Sequence, residues 1–176
     1  EAGLLLLKER EQLQIEIAPF FSQLFCTIST IENVHLKYLP SWKEKNIESI
    51  IKTLKHKRSA DLALLTTTSG PHRDRWLFTW EGKDFIPRAS TGQRRLLALL
   101  LRILQSHLFL KKTGKKPIYL LDDVLLELDY EKKLGFFDLL PEYEQAFFTF
   151  LPNEFLLSQQ TASALIYKVQ DGKISV

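Results

Sequence analysis

The sequence has no methionine, a single cysteine and no long apolar run, and each shortage excludes something. Cys26 has no partner for an internal disulfide, so we expect a reducing, cytoplasmic compartment. No apolar stretch is long enough to span a bilayer, and residues 4–7 are too short for the core of a secretion signal, so we expect no membrane association. A cytoplasmic chain starts with methionine or has just lost it. Since this chain starts with Glu1, we expect it to be a piece of a longer polypeptide.

Motifs for several common chemistries are also missing. A phosphate-binding loop needs Gly-x-x-x-x-Gly-Lys followed by Ser or Thr, and the sequence contains no such pattern. The Gly114-Lys115 pair leads into a predicted strand rather than a helix, so it does not replace that loop. The sequence also lacks a Cys/His metal cluster, a Gly-x-Ser-x-Gly elbow and a His-Glu-x-x-His helix. We therefore expect no nucleotide cradle within this chain.

What is present is the composition of an ordinary globular protein. Of the 176 residues, 45% are hydrophobic and 26% are charged, which suffices for one domain with a core. The net charge of +3 is compatible with a nucleic-acid partner without being diagnostic. A predicted amphipathic helix beginning near Ile47 carries several cations, which either form a solvated face or bind nucleic acid. These cations are Lys52, Lys55, Lys57 and Arg58.

A short apolar run ends in two adjacent carboxylates, Asp122 and Asp123. The run Pro117–Leu121 predicts a buried parallel strand, and such strands end at the edge where α/β folds bind ligands. Asp122 is suited to hold Mg²⁺ through water, and Asp123 to orient an attacking water. An ordinary strand followed by an acidic turn is the alternative interpretation.

A long helix is predicted to begin at Ser90-Thr91-Gly92-Gln93. Ser90 is a favourable N-cap, and leucines on most sides of the following helix indicate burial. Free backbone N–H groups at a helix start bind anions, so this stretch is a candidate phosphate contact. Near the end of the chain, Asp171-Gly172 between two short apolar runs predicts a closing hairpin.

Taken in order, four motifs resemble the RecF family of bacterial recombination mediators, which have an ABC-type, SMC-like ATPase head. Residues 68–74, Thr-Ser-Gly-Pro-His-Arg-Asp, resemble a family motif. Residues 89–95 resemble the ABC signature, residues 120–124 the Walker B strand and residues 127–129 the D-loop. The strong resemblance covers residues 62–149, about half of the chain.

The resemblance implies an α/β fold: the C-terminal part of an ABC-ATPase head, with a mixed sheet carrying the Walker B strand and the signature helix against it. Residues 1–60 would belong to a helical second lobe and residues 61–176 to the head. It also implies ATP and Mg²⁺ as cofactors, provided that a missing N-terminal half supplies the phosphate loop. The longer protein would be a slow ATPase, and this chain alone would be inactive.

The resemblance further implies roles in DNA replication, repair, recombination and the SOS response. The partners would be DNA at single-strand/double-strand junctions, a second copy in an ATP-dependent homodimer, and RecR, RecO and RecA. Individual roles follow for a set of residues, which we state here as expectations. They are Asp123 as the catalytic carboxylate, Asp122 on the magnesium side, Ser90, Gly92 and Gln93 contacting nucleotide in trans, Leu128 and Asp129 in the D-loop, Thr149 as the candidate switch, and Gly70, His72 and Arg73 in a DNA-binding or structural motif.

Two positions depart from the usual ABC pattern. Thr91 stands where the signature has Gly, and Leu126 stands where the D-loop often has a small polar residue. Two other classes of function stay open. One is a stand-alone DNA-binding or interaction module without a nucleotide role; for His72 and Arg73 themselves, the structural alternative is a salt-linked turn with Asp74. The other is a metal-dependent nuclease or phosphatase that uses Asp122, Asp123 and Asp129.

Overall fold

The structure is a computed structural model that describes residues 1–29, 31–123, 128, 130–150 and 164–175. It divides into two compact units, residues 1–105 and 106–176, and the division falls within a single helix. Among the described residues, no helix is both long and apolar enough to cross a bilayer. The predicted boundary between residues 60 and 61 concerns lobes of a larger head, and it stays a prediction.

The first unit is built on a long helix, α1 (Ala2–Ser29), packed against a small sheet. Strand β1 (Val34–Leu39) pairs antiparallel with β2 (Arg75–Trp80), which pairs antiparallel with β3 (Lys83–Asp84). Apolar and polar residues alternate along residues 34–38 of the sequence, which predicts a half-buried strand. The structure confirms it, since the residues of β1 are alternately buried and exposed. Aromatic rings join helix to sheet, with Phe21 5.2 Å from Phe78 between ring centroids.

Leu13, Ile17 and Leu24 recur at helical spacing, which predicts a helix, and a proline within it predicts a kink or a restart. Helix α1 instead continues through Pro19. Proline removes one backbone hydrogen bond and crowds the carbonyl four residues earlier. Pro19 is exposed and Ile15 is 68% exposed, so that carbonyl can be hydrated on the solvent side. The helix therefore tolerates the proline without ending.

Two further helices lie where the sequence predicts them. Helix α2 (Ile47–Leu64) is capped by Asn46, whose side chain accepts a hydrogen bond from the backbone N–H of Glu48. Helix α3 (Thr91–Thr113) forms as predicted, but it buries one leucine-rich stripe rather than most of its sides. The stripe consists of Leu96, Leu97, Leu100, Ile103 and Leu104.

The second unit contains strand β4 (Ile118–Leu121), helix α4 (Tyr130–Asp138), strand β5 (Gln145–Phe148) and the hairpin β6 (Lys168–Gln170) and β7 (Lys173–Ser175). β4 and β5 are parallel, as predicted for the acidic strand, and the closing hairpin is confirmed. The expected single mixed sheet is not seen in the described residues, whose strands form three small sheets of three, two and two strands.

The prediction that the acidic strand is buried is wrong for this chain. Ile118 is 58% exposed, Leu120 is 78% exposed, and Phe147 on the neighbouring strand is 54% exposed. Successive side chains of a strand point to opposite faces, so one apolar face of the β4–β5 pair is open. An apolar run shows that a strand is suited to burial; whether its faces are covered depends on other elements.

Candidate functional site

The carboxyl ends of β4 and β5 bring together three of the predicted site residues. Because the strands are parallel, the residues that follow them meet at one edge. The backbone N–H of Thr149 donates to Leu121 O at 3.0 Å, which extends the ladder past β5. Asp122, Asp123 and Thr149 are all exposed there. We call this group the β4 edge.

The Thr149 hydroxyl is the centre of the β4 edge. It donates to Asp122 Oδ1 at 2.7 Å and accepts the backbone N–H of Asp123 at 2.9 Å. Asp123 Oδ1 lies farther from the same oxygen, at 3.4 Å. Asp123 has a φ of 50°, a left-handed conformation that non-glycine residues seldom adopt. The Asp122 carboxylate therefore lies closer to the Thr149 hydroxyl than the Asp123 carboxylate does.

Two exposed carboxylates at a strand end suit Mg²⁺, which keeps several waters and takes one or two protein carboxylates. Among the described residues, no group of three or more His, Cys, Asp or Glu side chains could hold a metal ion. Asp129, which the nuclease alternative requires, lies outside the described residues.

The start of α3 is a complete capping box. The backbone N–H of Gln93 donates to Ser90 Oγ at 3.2 Å, and the backbone N–H of Ser90 donates to Gln93 Oε1 at 2.7 Å. This reciprocal pair satisfies two N–H groups and fixes the helix entry. Space is open where a Cβ on Gly92 would lie, so the backbone is approachable at that residue. The N-cap prediction for Ser90 is confirmed, and its contact with a nucleotide stays a prediction.

The Gly-Pro-His-Arg-Asp motif forms a single turn of 3₁₀-helix at Pro71–Arg73. Gly70 has a φ of 140°, which a residue with a Cβ rarely adopts. His72 Nε2 lies 2.8 Å from Thr67 Oγ1. Arg73 donates through Nε to Thr67 O at 2.7 Å and through a terminal nitrogen to Thr66 Oγ1 at 2.7 Å. Both side chains thus fasten the turn to the segment that follows α2.

Asp74, at the end of this motif, has a role that the sequence did not indicate. Its side chain is only 3% exposed and forms a 2.6 Å ion pair with Arg10 of α1. It also accepts the Tyr38 hydroxyl and, at 2.8 Å, the backbone N–H of Ser41. A salt-linked turn in which His72 and Arg73 pair with Asp74 is therefore wrong. The partners lie far from Asp74 in the sequence, so no local pattern indicates them.

Burial and hydrogen bonding oppose each other at this cluster. Burial raises the pKa of Asp74, but donors from Ser41, Tyr38 and Arg10 more than offset it and hold the pKa below its usual value. Burial also raises the pKa of Tyr38, and with the hydrogen bond to Asp74 it reaches about 12. Asp74 is therefore charged and Tyr38 neutral over the physiological range, which keeps the donor–acceptor pair intact.

Comparisons with known proteins cover nearly the whole chain. No protein-family model matches it. It is 41% identical over 170 residues to a DNA replication and repair protein RecF of Treponema pallidum, covering 97% of this chain and 48% of that protein. It is 32% identical over 169 residues to RecF of Heliobacterium modesticaldum, covering 90% and 45%. The chain belongs to the RecF family.

Solved RecF structures agree with the sequence matches. A structure described as the recombination mediator protein RecF with ATP, in the RecFOR pathway, matches 98% of this chain with a TM-score of 0.70 and 27% identity. A second, described as RecF-ATPrS, gives 0.71 and 26%. The chain spans about half the length of the relatives it matches, and a C-terminal segment of RecF fits these comparisons.

The helices and strands of the chain confirm the α/β class, and the site residues stay predictions. In the D-loop stretch, Leu128 is buried, whereas Leu126 and Asp129 lie outside the described residues. Ser90 and the β4 edge belong to different compact units.

Proposed function

We propose that this chain is the C-terminal part of an ATP-switched DNA repair and recombination protein. The observation that carries the proposal is the 41% identity to RecF over 97% of the chain. The β4 edge and the capped start of α3 support it, since they supply the chemistry that an ABC head requires on the side away from its phosphate loop. RecF structures described with ATP support the choice of nucleotide.

In this proposal the β4 edge lies against bound nucleotide. Asp122 would hold Mg²⁺, and the ion would neutralise phosphate charge when bound. Asp123 orients the attacking water. Thr149 senses the γ-phosphate, while its hydroxyl fixes the Asp122 carboxylate and the backbone N–H of Asp123. Aspartate is one methylene shorter than the glutamate usual at the second position, so we expect slow turnover. Leu128 and Asp129 would form the D-loop beside it.

The start of α3 acts on the nucleotide of a second copy. Ser90 offers a hydroxyl, Gly92 permits close backbone approach, and Gln93 braces Ser90 through the capping box. The helix N-terminus adds a partial positive charge toward phosphate. ATP would therefore join two copies into a dimer that binds DNA at single-strand gaps and supports RecA loading with RecO and RecR. This assigns the protein to the cytoplasm.

A chimera tests the proposal. In it, this chain replaces the matching segment of the Treponema pallidum relative, which restores a full-length protein; we call it the chimera. We expect sedimentation to show dimers with Mg-ATP and monomers without it, and slow ATP hydrolysis. A chimera that folds and binds DNA but neither binds ATP nor dimerises would instead support a stand-alone DNA-binding module.

A further inference from the structure

Helix α2 presents one side that carries three permanent cations and a histidine. Lys52, Lys55 and His56 lie at i, i+3 and i+4, so they share a side of the helix, and Arg58 lies at its margin. All four side chains are exposed, whereas Ile50 on the opposite side is 5% exposed. We call these four residues the α2 cationic face. Nothing in the RecF motifs accounts for it.

The charges of this face are not neutralised by the protein. Within the described ranges, Lys52, Lys55 and Arg58 form no ion pair. Asp61 is occupied elsewhere: hydrogen bonds from Thr68 hold its pKa below the usual value, with smaller contributions from Lys57 and Arg73. Glu48, one turn before Lys52, is the carboxylate that shares the cationic side. This side of α2 therefore carries three positive charges and one negative charge.

The helix that carries the face is fixed at both ends. Asn46 caps its start, and at its end the Asp61 carboxylate accepts the backbone N–H of Thr68 at 2.9 Å and its hydroxyl at 2.7 Å. The Arg73 side chain is hydrogen-bonded to the Thr66 hydroxyl just beyond. These contacts use the ends of α2 and leave its outer side open. The cations are thus held on a rigid element.

We propose that the α2 cationic face binds the phosphate backbone of duplex DNA without reading base sequence. This rests on the proposed function, to which it adds a surface. Lys52 and Arg58 are six residues apart, about 9 Å along the helix axis. Duplex DNA carries about one charge per 1.7 Å of axis, so the face meets several phosphates at once. Flexible Lys and Arg side chains position a protein on DNA and carry no sequence information by themselves.

A protein partner is the competing occupant. Ile47, Ile51 and Leu62 are 43%, 45% and 66% exposed and lie beside the cationic face on the same helix. Apolar residues favour protein contact, but these three lie on the Arg58 side of the face, and the Lys52 side carries none of them. Unneutralised charge of one sign favours a polyanion, and it repels the same face of a second copy.

The test measures DNA affinity of the full 176-residue chain as a function of salt. Fluorescence anisotropy with a labelled duplex compares the wild-type chain with the triple variant Lys52→Gln, Lys55→Gln, Arg58→Gln. Each lost phosphate contact lowers the slope of log affinity against log salt by about 0.9, so we expect a loss of about 2–3. Circular dichroism checks that the variant is folded. An unchanged slope in a folded variant overturns the proposal.

A matched control removes the same charge elsewhere. Lys37→Gln, Lys83→Gln and Lys168→Gln together take away three exposed lysines outside α2. This control should keep the wild-type slope; an equal loss would show that only net charge matters and would overturn the proposal. A triple variant that alters self-association or protein binding, with DNA affinity unchanged, would favour the competing occupant.

The chimera separates this inference from the proposed function. The α2 triple variant in the chimera should still dimerise with Mg-ATP, while its DNA affinity falls at least tenfold near physiological salt. If the wild-type chimera fails to dimerise with ATP, the proposed function fails, and the salt slopes of the chain still decide the role of α2. If ATP dimerisation is normal and the slopes are equal, the α2 proposal alone fails.

Discussion

The Thr149 hydroxyl lies 2.7 Å from Asp122 Oδ1, across the carboxyl ends of two parallel strands. The same oxygen accepts the backbone N–H of Asp123, so one side chain fixes both the position of a carboxylate and the turn that follows it. Thr149 therefore links the end of β5 to two adjacent residues at the end of β4, Asp122 and Asp123.

Replacing Thr149 by Val tests this link. The isosteric change removes the hydroxyl and leaves the Asp123 N–H without its acceptor, a loss of about 0.5–1.5 kcal/mol for a net hydrogen bond. We expect ATP hydrolysis by the chimera to fall by roughly twofold to tenfold or more, with its melting temperature nearly unchanged because the edge is exposed. Thr149→Ser keeps the hydroxyl and should stay close to wild type. Equal activity of the Val and Ser variants would contradict the link.

Asp122 and Asp123 should separate binding from hydrolysis. In the chimera, Asp123→Asn should retain ATP binding and dimerisation while hydrolysis falls by about 10²–10⁴-fold, the usual range for loss of a positioned base. Asp122→Ala should weaken Mg-dependent ATP binding itself. Titration calorimetry and phosphate release measure the two effects. Asp138→Asn, an exposed carboxylate at the end of α4, is the control, and equal loss of binding in both test variants would refute the division of roles.

Ser90 combines a cap with a predicted contact in trans, and two variants distinguish them. Ser90→Ala removes the capping hydroxyl and should cost about 0.5–2 kcal/mol of unfolding free energy. Ser90→Arg loses the same cap and adds bulk toward the second copy, so it should abolish ATP-dependent dimerisation of the chimera while its monomer still binds ATP. Thermal melts beside sedimentation give both quantities. If the two variants dimerise in proportion to their stabilities, Ser90 is only a cap.

The buried Asp74 cluster predicts a specific pH dependence. Because the folded pKa of Asp74 is depressed, its stabilisation is present above the unfolded value of about 3.9 and is lost as pH falls through the folded pKa. Tyr38 has a raised pKa of about 12, so its contribution is complete below about 10 and is lost as pH rises toward 12. Melting temperatures across acid and alkaline pH measure both windows.

Two variants isolate these contributions. Asp74→Asn should cost about 1.5–3 kcal/mol, as expected for hydrogen bonds to a charged group, and should flatten the acid limb of the stability curve relative to wild type. Tyr38→Phe should flatten the alkaline limb. Since Asp84 is exposed, Asp84→Asn serves as the control for the acid limb. A wild-type acid limb in Asp74→Asn would show that other carboxylates set it.

The chain alone should bind ATP poorly. The phosphate loop supplies most nucleotide contacts in this class of protein, and the sequence contains no such loop. Titration calorimetry of the 176-residue chain with Mg-ATP should show no micromolar binding, whereas the chimera should bind. Micromolar binding by the chain itself would show that a cradle exists which the sequence patterns did not reveal.

Local features of this protein were determined by its sequence alone. The periodicity of α1 and α3, the alternation of β1 and the Asp171-Gly172 hairpin concern residues close together in the chain, and the structure confirms each. The Ser90–Gln93 capping box spans four residues, so its geometry follows from local sequence. The order of the motifs likewise sufficed to indicate the RecF family.

Only the tertiary structure decided which distant groups meet. Arg10 and Asp74 are 64 residues apart, and Thr149 and Asp122 are 27 apart, so neither pair appears in any local pattern. The burial of β4 was predicted wrongly for the same reason. Whether a strand face is covered depends on elements elsewhere, and the apolar side chains of Ile118 and Leu120 specify only that burial would be favourable. Periodicity encodes the preference of a segment, and the packing of remote segments determines its contacts.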